Sequence, residues 1–550
     1  MCTSLGNFDP HIFQKKLVAM SHDMRARQKR FHRNKRQHGV GQNPHRRRDE
    51  FSLRERFLCQ VACFQVLFLG WSIGSVHPWA QYVNLGLALT GFCGLFLPDR
   101  HTLRWDSRKM GFRLLPISPV FWLGLMFCVY VGVQCFNFSW SYEETLTEVW
   151  HKDASAPSGF DSEMVEGWKI EGQDHVAWLP SGVKSPFFKQ GSFKDLKHVN
   201  PARVLLMAVP VWLWACVLTV GLQRRHALRL ILWTAALGGS LMAFLGIVQS
   251  LTKAKGILWI IPSSNGAFFG TFIYPNHAAA FLCLTLSVTL ALAFYHHRRS
   301  TRKLLRSGPH YILVFLGLIV FLGLVISGSR AGMVLGGAVL AFGVCTALVR
   351  IIGGGDDFRQ GITLGILGAI SLGFGMYAVV NFSNLTEIFS DFETLEKGAG
   401  SPDIAQRLQV HGATWDSFKD NKVFGTGAGS FRYFFPFSQQ KHPELQDLYF
   451  EHAHNDYLQS LMEYGIVGFL PLFFFFLFLF GKALLAAVVR PAVNLSLLAG
   501  ILAFCMHAWV DFPAQSPSVL LLAVFILAII NRWGAIDVMK HRIGDGSSAS

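Results

Sequence analysis

The sequence is short of charge. Of 550 residues only 15% are Asp, Glu, Lys or Arg while 51% are apolar, against a charged share of about a quarter in soluble domains. The deficit is clustered into repeated stretches of about twenty residues almost free of charge, each enough to carry a helix across the hydrocarbon core. Such runs are too many for soluble cores. Cysteine is missing from both long polar stretches, because nine of the ten lie in apolar runs and the tenth is Cys2 in the N-terminal tail. That excludes a disulfide framework for the polar loops, and the cysteines read as small packing residues. There is no repeat of fixed period and no soluble domain with a core of its own. A cleavable signal peptide is also missing: the first apolar run begins near Phe57 with no small-residue cleavage site after it, so that span is expected to stay in the membrane.

What is present is an all-α pattern of about twelve spans: roughly 57–75, 79–98, 118–138, 202–222, 230–251, 275–295, 310–328, 331–350, 361–381, 465–488, 493–512 and 516–532. The net charge of +16 is concentrated at one end, with 14 Lys/Arg against 5 Asp/Glu in residues 1–56. With no nucleic-acid fold motif or aromatic platform, a basic stretch before a membrane helix reads as a topology signal that touches anionic lipid, not as a nucleic-acid site. The connections at 99–117, 223–229 and 296–309 carry five, three and five Lys/Arg, whereas those at 75–78 and 513–515 carry none. Both termini are therefore expected in the cytoplasm.

Parity then divides the chain into a basic cytoplasmic tail (1–56), spans 1–3 (57–138), a first periplasmic loop (139–201), spans 4–9 (202–381), a large periplasmic loop between the ninth and tenth spans (382–464), spans 10–12 (465–532) and a cytoplasmic tail (533–550). Both outer loops hold more acid than base, which agrees with the topology without having been used to set it. In the large loop, Ile404 to Lys419 reads as an amphipathic helix. A glycine-punctuated turn, Gly425-Thr-Gly-Ala-Gly429, and an aromatic stretch, Phe431 to Phe437, follow it. A second helix from His454 into the tenth span carries Tyr457, Leu458, Leu461 and Met462 on one face, so the loop is expected to be a structured, partly helical cap.

Four groups of residues suggest chemistry. Arg330, in Ser327-Gly-Ser-Arg-Ala-Gly332, is a lone cation between two apolar spans, suited to a phosphate or pyrophosphate or else to capping helix ends at the headgroups. Glu451-His-Ala-His454-Asn-Asp-Tyr-Leu-Gln459 with Glu463 offers His454 for proton transfer, His452, Asp456 and Glu463 as support, and Asn455 as a lining residue. Two histidines spaced by one residue could bind metal, but the local spacing supplies no further ligands, so no metal is expected; an ordinary interfacial histidine is the bland alternative. Arg407 and His411 lie four apart on the loop helix, either as a second anion contact or as a solvated face. Asn276, His277 and Asp511 are polar groups at outer span ends that could each be a helix cap. The glycines at 425, 427 and 429 are not a nucleotide loop, because no Lys-Ser/Thr follows. The shared side is the stronger argument, since parity puts Arg330, Arg407, His454, Asn276, His277 and Asp511 together on the outer face.

These residues resemble the O-antigen ligase and polymerase superfamily of multi-span bacterial glycosyltransferases. The match lies in Ser-Gly-Ser-Arg330-Ala-Gly, in the Arg407 helix with its Gly-Thr-Gly-Ala-Gly, and in His454-Asn455, nine residues, then Gly465-x-x-Gly468, over roughly 230–530. The resemblance implies metal-independent, cofactor-free, inverting transfer of a glycan from undecaprenyl pyrophosphate at the periplasmic face of the inner membrane. The acceptor would be a hydroxyl of lipid A core, of a glycan or of a protein. It implies Arg330 and Arg407 at the pyrophosphate and His454 as general base. Polymerisation of the glycan is the alternative within the family; a secondary transporter or flippase, and then a non-catalytic scaffold, are the alternatives outside it.

Overall fold

The computed structural model describes residues 52–546 apart from 98–110, 136–137, 152–160, 173–181, 185–198, 264–266, 303–307, 353–401, 440, 443–444, 446–449 and 490. The basic tail, the span expected at 361–381 and the start of the large loop lie outside the described residues. Within them the protein is nearly all helical, and a helix stands at every other expected span: α1 Leu53–Trp71, α2 Pro78–Gly94, α3 Pro119–Gln134, α4 Pro201–Val220, α5 Arg225–Leu251, α6 Pro275–Arg302, α7 His310–Ile326 and α8 Arg330–Ile352. The large loop contributes α9 Pro402–Asp420 and α10 Phe431–Gln439, and α11 Asp456–Val489, α12 Pro491–Val510 and α13 Pro517–Gly546 complete the set. Seven of these helices are long and apolar enough to cross a membrane. Several open on proline, whose missing N–H costs nothing in the first turn and whose fixed φ suits it.

The all-helical expectation needs two amendments, the smaller being a short antiparallel pair of Gly256–Ile257 with Ile261–Pro262. Phe138–His151 and Asp161–Gly172 pair as an antiparallel hairpin, with Gly182–Lys184 added in parallel. Sequence periodicity had assigned no structure to this segment.

Burial sorts the helices. The apolar windows of α6 and α13 are 89% and 83% buried, against 28% for α11 and 33% for α8, so the first two form the centre and the last two line the edge. Exposed Phe473, Phe474, Leu484 and Leu485 on α11 and Val334 on α8 are what lipid contact demands of a helix at the edge. At the end of the bundle away from the large loop, α1 begins earlier than hydropathy suggested, because its charged first turn is neutralised on the spot. Buried Glu55 accepts the backbone N–H groups of Gln223 and Arg224 at 2.9 and 2.6 Å and lies 3.4 Å from the Arg224 guanidinium. Arg225 pairs with Asp537 and Arg532 donates to the Leu222 carbonyl, which ties α13 to the same corner.

The other end is capped by the large loop. Val410, Ala413 and Phe418 of α9, Phe431 and Phe435 of α10, and Ala453 and Met462 around the start of α11 form one buried cluster, so the cap has a core of its own. It is fastened to the bundle at Gly465, where α11 breaks (φ 57°, ψ −172°). The break frees backbone groups that the glycine turn takes up. Ile466 and Val467 N–H donate to Lys422 and Val423 carbonyls at 2.8 and 3.0 Å, while Thr426 and Gly427 N–H donate to Met462 and Glu463 carbonyls at 2.9 Å each. The two chains approach so closely that a Cβ on Gly465 would stand 2.4 Å from both Gly425 N and Val423 O. The neighbouring Gly468 gives the same room to the Tyr130 ring, whose hydroxyl lies 2.6 and 2.7 Å from the Phe424 and Tyr464 carbonyls and shares its one proton between them. The glycines of the His-Asn-x9-Gly-x-x-Gly spacing thus bolt the cap to the membrane part. Gly465→Ala, which adds a backbone clash to a left-handed φ, should cost about 2–4 kcal/mol. Thermal unfolding in detergent should show a clearly lower midpoint than for the wild type, whereas Gly481→Ala, whose Cβ would meet nothing within 4 Å, should not move it.

Candidate functional site

The capped end carries a cluster centred on Asp511, which is 1% exposed in the turn after α12. One carboxylate oxygen accepts from the Asn276 side-chain amide at the start of α6, and the other accepts the Phe512 N–H at 3.0 Å. Nδ1 of His454 lies 3.3 Å from the carboxylate, off the line of an ideal hydrogen bond, and Nε2 of His507 lies 3.8 Å away. Burial alone would raise the Asp511 pKa, but these two imidazoles outweigh it and hold the carboxyl below the usual carboxylate range.

His454 sits at φ 51°, a conformation uncommon for a residue with a Cβ. The strain is held in place from both sides: Nε2 of His411 donates to the His454 carbonyl at 3.1 Å, and Asn455 caps α11 by accepting the Tyr457 and Leu458 N–H groups at 3.1 Å each. Locked between a cap and a buried carboxylate, the His454 ring keeps 27% of its side chain exposed. Strain that the surroundings maintain at a partly open histidine is typical of functional sites.

Phe512 is the plate on which three histidines rest. His452 stacks on it at 4.3 Å between ring centroids, and His454 and His277 meet it edge-on at 5.0 and 5.1 Å. His277 Nε2 also lies 3.2 Å from the Phe512 carbonyl. Burial pushes the His452 pKa down to about 3, with His277 and His454 adding to the effect, so that ring is neutral at any ordinary pH. Its Nδ1 lies 3.4 Å from the Gln459 amide, which also donates to Glu463 at 3.0 Å.

The structure therefore gathers Asn276, His277, His411, His452, His454 and Asp511 in one place. Arg407 reaches the same turn and donates to the Val510 carbonyl at 2.9 Å. Arg330 opens α8 at the same end of the bundle, where Gly332 packs against Ala279 of α6, and is exposed. Three of the expected residues serve the scaffold. Asn455 is the helix cap already described. Asp456 accepts the Ala514 N–H at 2.8 Å and lies 3.3 Å from the Gln515 amide, binding α11 to the turn before α13. Glu463 accepts the Gly429 and Phe431 N–H groups at 3.0 and 3.2 Å. Among the described residues no three His, Cys, Asp or Glu side chains converge as metal ligands would.

Two cavities adjoin the cluster. One, of about 270 Å³, is of mixed character, with His77, Arg203, Arg432, Glu451, His452 and Gln459 among apolar neighbours such as Val204 and Phe431. The other, of about 300 Å³, is almost wholly apolar and runs between α3, α4, α11, α12 and α13 past Phe127, Trp212 and Phe476. Val204, Met207 and Gln515 line both, so the two are neighbours.

Residues 313–473 match the family model described as O-antigen ligase. The chain carries an O-antigen ligase domain. The match spans Arg330, Arg407, His454, Gly465 and Gly468, and leaves Asn276, His277 and Asp511 to the flanking helices. No curated protein matches the chain.

Sequence reading missed Arg203, Arg432, Gln459, His507 and Phe512. Arg203, two residues after Pro201 at a span end, was as visible a lone cation as Arg330. The others carried no signal without knowing what packs on them. Because Asp511 satisfies two buried donors and faces two imidazoles, Asp511→Ala should destabilise the protein by about 2–4 kcal/mol, and Asp511→Asn, which keeps one acceptor, by less. Unfolding midpoints in detergent for the two variants would test that order.

Proposed function

We propose that the protein transfers a glycan from an undecaprenyl-pyrophosphate donor to an acceptor hydroxyl at the periplasmic face of the inner membrane, with both termini cytoplasmic. The observation that carries this reading is the His454–Asp511 pair: a partly exposed imidazole, strained and fixed, whose Nδ1 faces a buried carboxylate at 3.3 Å. A carboxylate there favours the tautomer with the proton on Nδ1, leaving Nε2 to accept a proton from an attacking hydroxyl and stabilising the imidazolium that forms. Such a base leaves the sugar's anomeric carbon open to direct displacement, with inversion and without a metal.

Departure of the lipid pyrophosphate builds negative charge. Arg330 and Arg407 are the cations assigned to it, since guanidinium forks match phosphate oxygens and stay charged throughout. Arg407 already sits one residue from Asp511 through its bond to Val510. His411 positions His454 through the backbone, and Asn276 holds Asp511. His277 and His452 fix the Phe512 plate. The apolar cavity beside the cluster gives a lipid chain somewhere to lie, which supports substrates delivered within the bilayer.

Ligation to lipid A core and polymerisation of the glycan differ only in the acceptor. A transporter would keep its ionisable groups near the midplane, whereas here they gather at one end beneath a cap. His454→Ala should lower glycan transfer in membranes by about a thousandfold or more while the protein still folds and inserts; retained transfer would remove His454 as base. Arg330→Lys, which keeps the charge and loses the fork, should lose at least about tenfold, and full activity would return Arg330 to an interfacial role. Deleting the gene and analysing surface glycans separates the acceptors. Lipid-linked polymer accumulates if a ligase is lost and single repeat units if a polymerase is lost, while unchanged glycans with altered solute uptake would favour transport.

A further inference from the structure

We propose that the adjoining faces of α5 and α6, at the end of the bundle away from the cap, bind the phosphate headgroup of an anionic phospholipid. The inference uses neither His454 nor the glycan-transfer reading.

Helical spacing builds the site. His226, Arg229 and Trp233 follow one another at three and four residues on α5, and His296 and Arg299 stand three apart on α6, so each set shares one face of its helix. The two faces meet. The Arg229 guanidinium carbon lies 4.9 Å over the Tyr295 ring and Nη1 donates to the Tyr295 hydroxyl, while the Trp233 indole N–H donates to Nε2 of His296 at 3.1 Å. Tyr295 is backed in turn by Trp533 of α13, at 5.7 Å between ring centroids. Arg229 is thus held in place before anything binds, with most of its N–H groups uncommitted. The bond from Trp233 also leaves the proton of a neutral His296 on Nδ1, so that ring is a donor as well. Arg229 and Arg299 both lie close enough to bear on the charge of His226 and His296. Arg299 and His226 are exposed, and Arg229, Trp233 and His296 are half-buried, so a ligand can reach them.

Charge selects the ligand. Neither α5 nor α6 contains an Asp or a Glu. Two carboxylates at that end of the bundle, Glu55 and Asp537, are taken by Arg224 and Arg225. Among the described residues no carboxylate pairs with Arg229 or Arg299. Guanidinium groups in that position match the oxygens of a phosphodiester. A zwitterionic headgroup would bring an ammonium to a wall that has nothing to receive it.

Hydropathy selects what carries the phosphate. From the cations, α5 continues with Leu230, Leu237, Leu241 and Phe244 exposed, at intervals of seven, four and three residues along one stripe. A free phosphate would leave that stripe unused. An acyl chain joined to the headgroup covers it, so one lipid satisfies both parts of the surface.

The test places the full chain in phosphatidylcholine nanodiscs with a trace of phosphatidylglycerol that carries a diazirine beside its headgroup. After irradiation the cross-linked residues are mapped by mass spectrometry. The yield within 226–237 and 295–299 should exceed that of the matching phosphatidylcholine probe by about tenfold, the worth of one charge-assisted contact. Arg229→Gln with Arg299→Gln should remove most of that excess. Arg229→Lys with Arg299→Lys keeps both charges and should retain part of it, which guards against a folding defect. Lys253→Gln with Lys255→Gln, the same loss of charge at the capped end, should leave the yield as it was. Unlabelled phosphatidylglycerol should compete, and sodium phosphate should compete no better than sodium chloride at equal ionic strength. Equal yields from the two probes would reduce the surface to an apolar lipid contact, and competition by phosphate beyond chloride would make it a site for the free ion. An excess that survives Arg229→Gln with Arg299→Gln would place the headgroup elsewhere. Each of these outcomes overturns the proposal.

Discussion

A carboxylate buried at the end of a membrane helix has to be matched, and the capped face is arranged around that requirement. Asp511 is met by Asn276 from α6, by the backbone of its own turn, by His507 from α12 and by His454 from the loop before α11. Removing a charge from water costs several kcal/mol, which only partners in good geometry offset. Matching it therefore draws three separate segments, the start of α6, the end of α12 and the loop before α11, to one point, and the His454 backbone is held at an angle it disfavours.

The second constraint is the joint between cap and bundle. A helix that ran unbroken from Asp456 to Val489 would carry the cap away from the membrane and leave the glycine turn without partners. The break at Gly465 exchanges helical hydrogen bonds for bonds to residues 422–427, and Phe424 and Ala428 of the cap pack against α3 and α4. The two cavities share Val204 and Met207 of α4 and Gln515 of the turn before α13.

Helix positions were legible because hydropathy acts locally: a run of twenty apolar residues has one inexpensive place to be. The resemblance carried by Arg330, Arg407, His454 and the two glycines is borne out by the O-antigen ligase match over 313–473. The start of α1 was misplaced because Glu55 looks like a tail residue until Gln223, Arg224 and Arg532 are seen around it. Asn455 and Glu463 read as candidates for chemistry and serve as cap and brace, since an amide or carboxylate beside a histidine carries the same signal in either use.

By itself the sequence determined that this chain lies in a membrane, where its helices fall and which residues share a face, because solvation energy and charge are properties of each segment alone. The tertiary structure decided which of those residues touch. It selected Asp511 as partner for His454, made Phe512 a plate for three rings, and brought Arg203, Arg432 and Gln459 to a common cavity. Such choices depend on distances between segments as much as 449 residues apart along the chain, as for Ser518 and Leu69, and only close packing sets those distances.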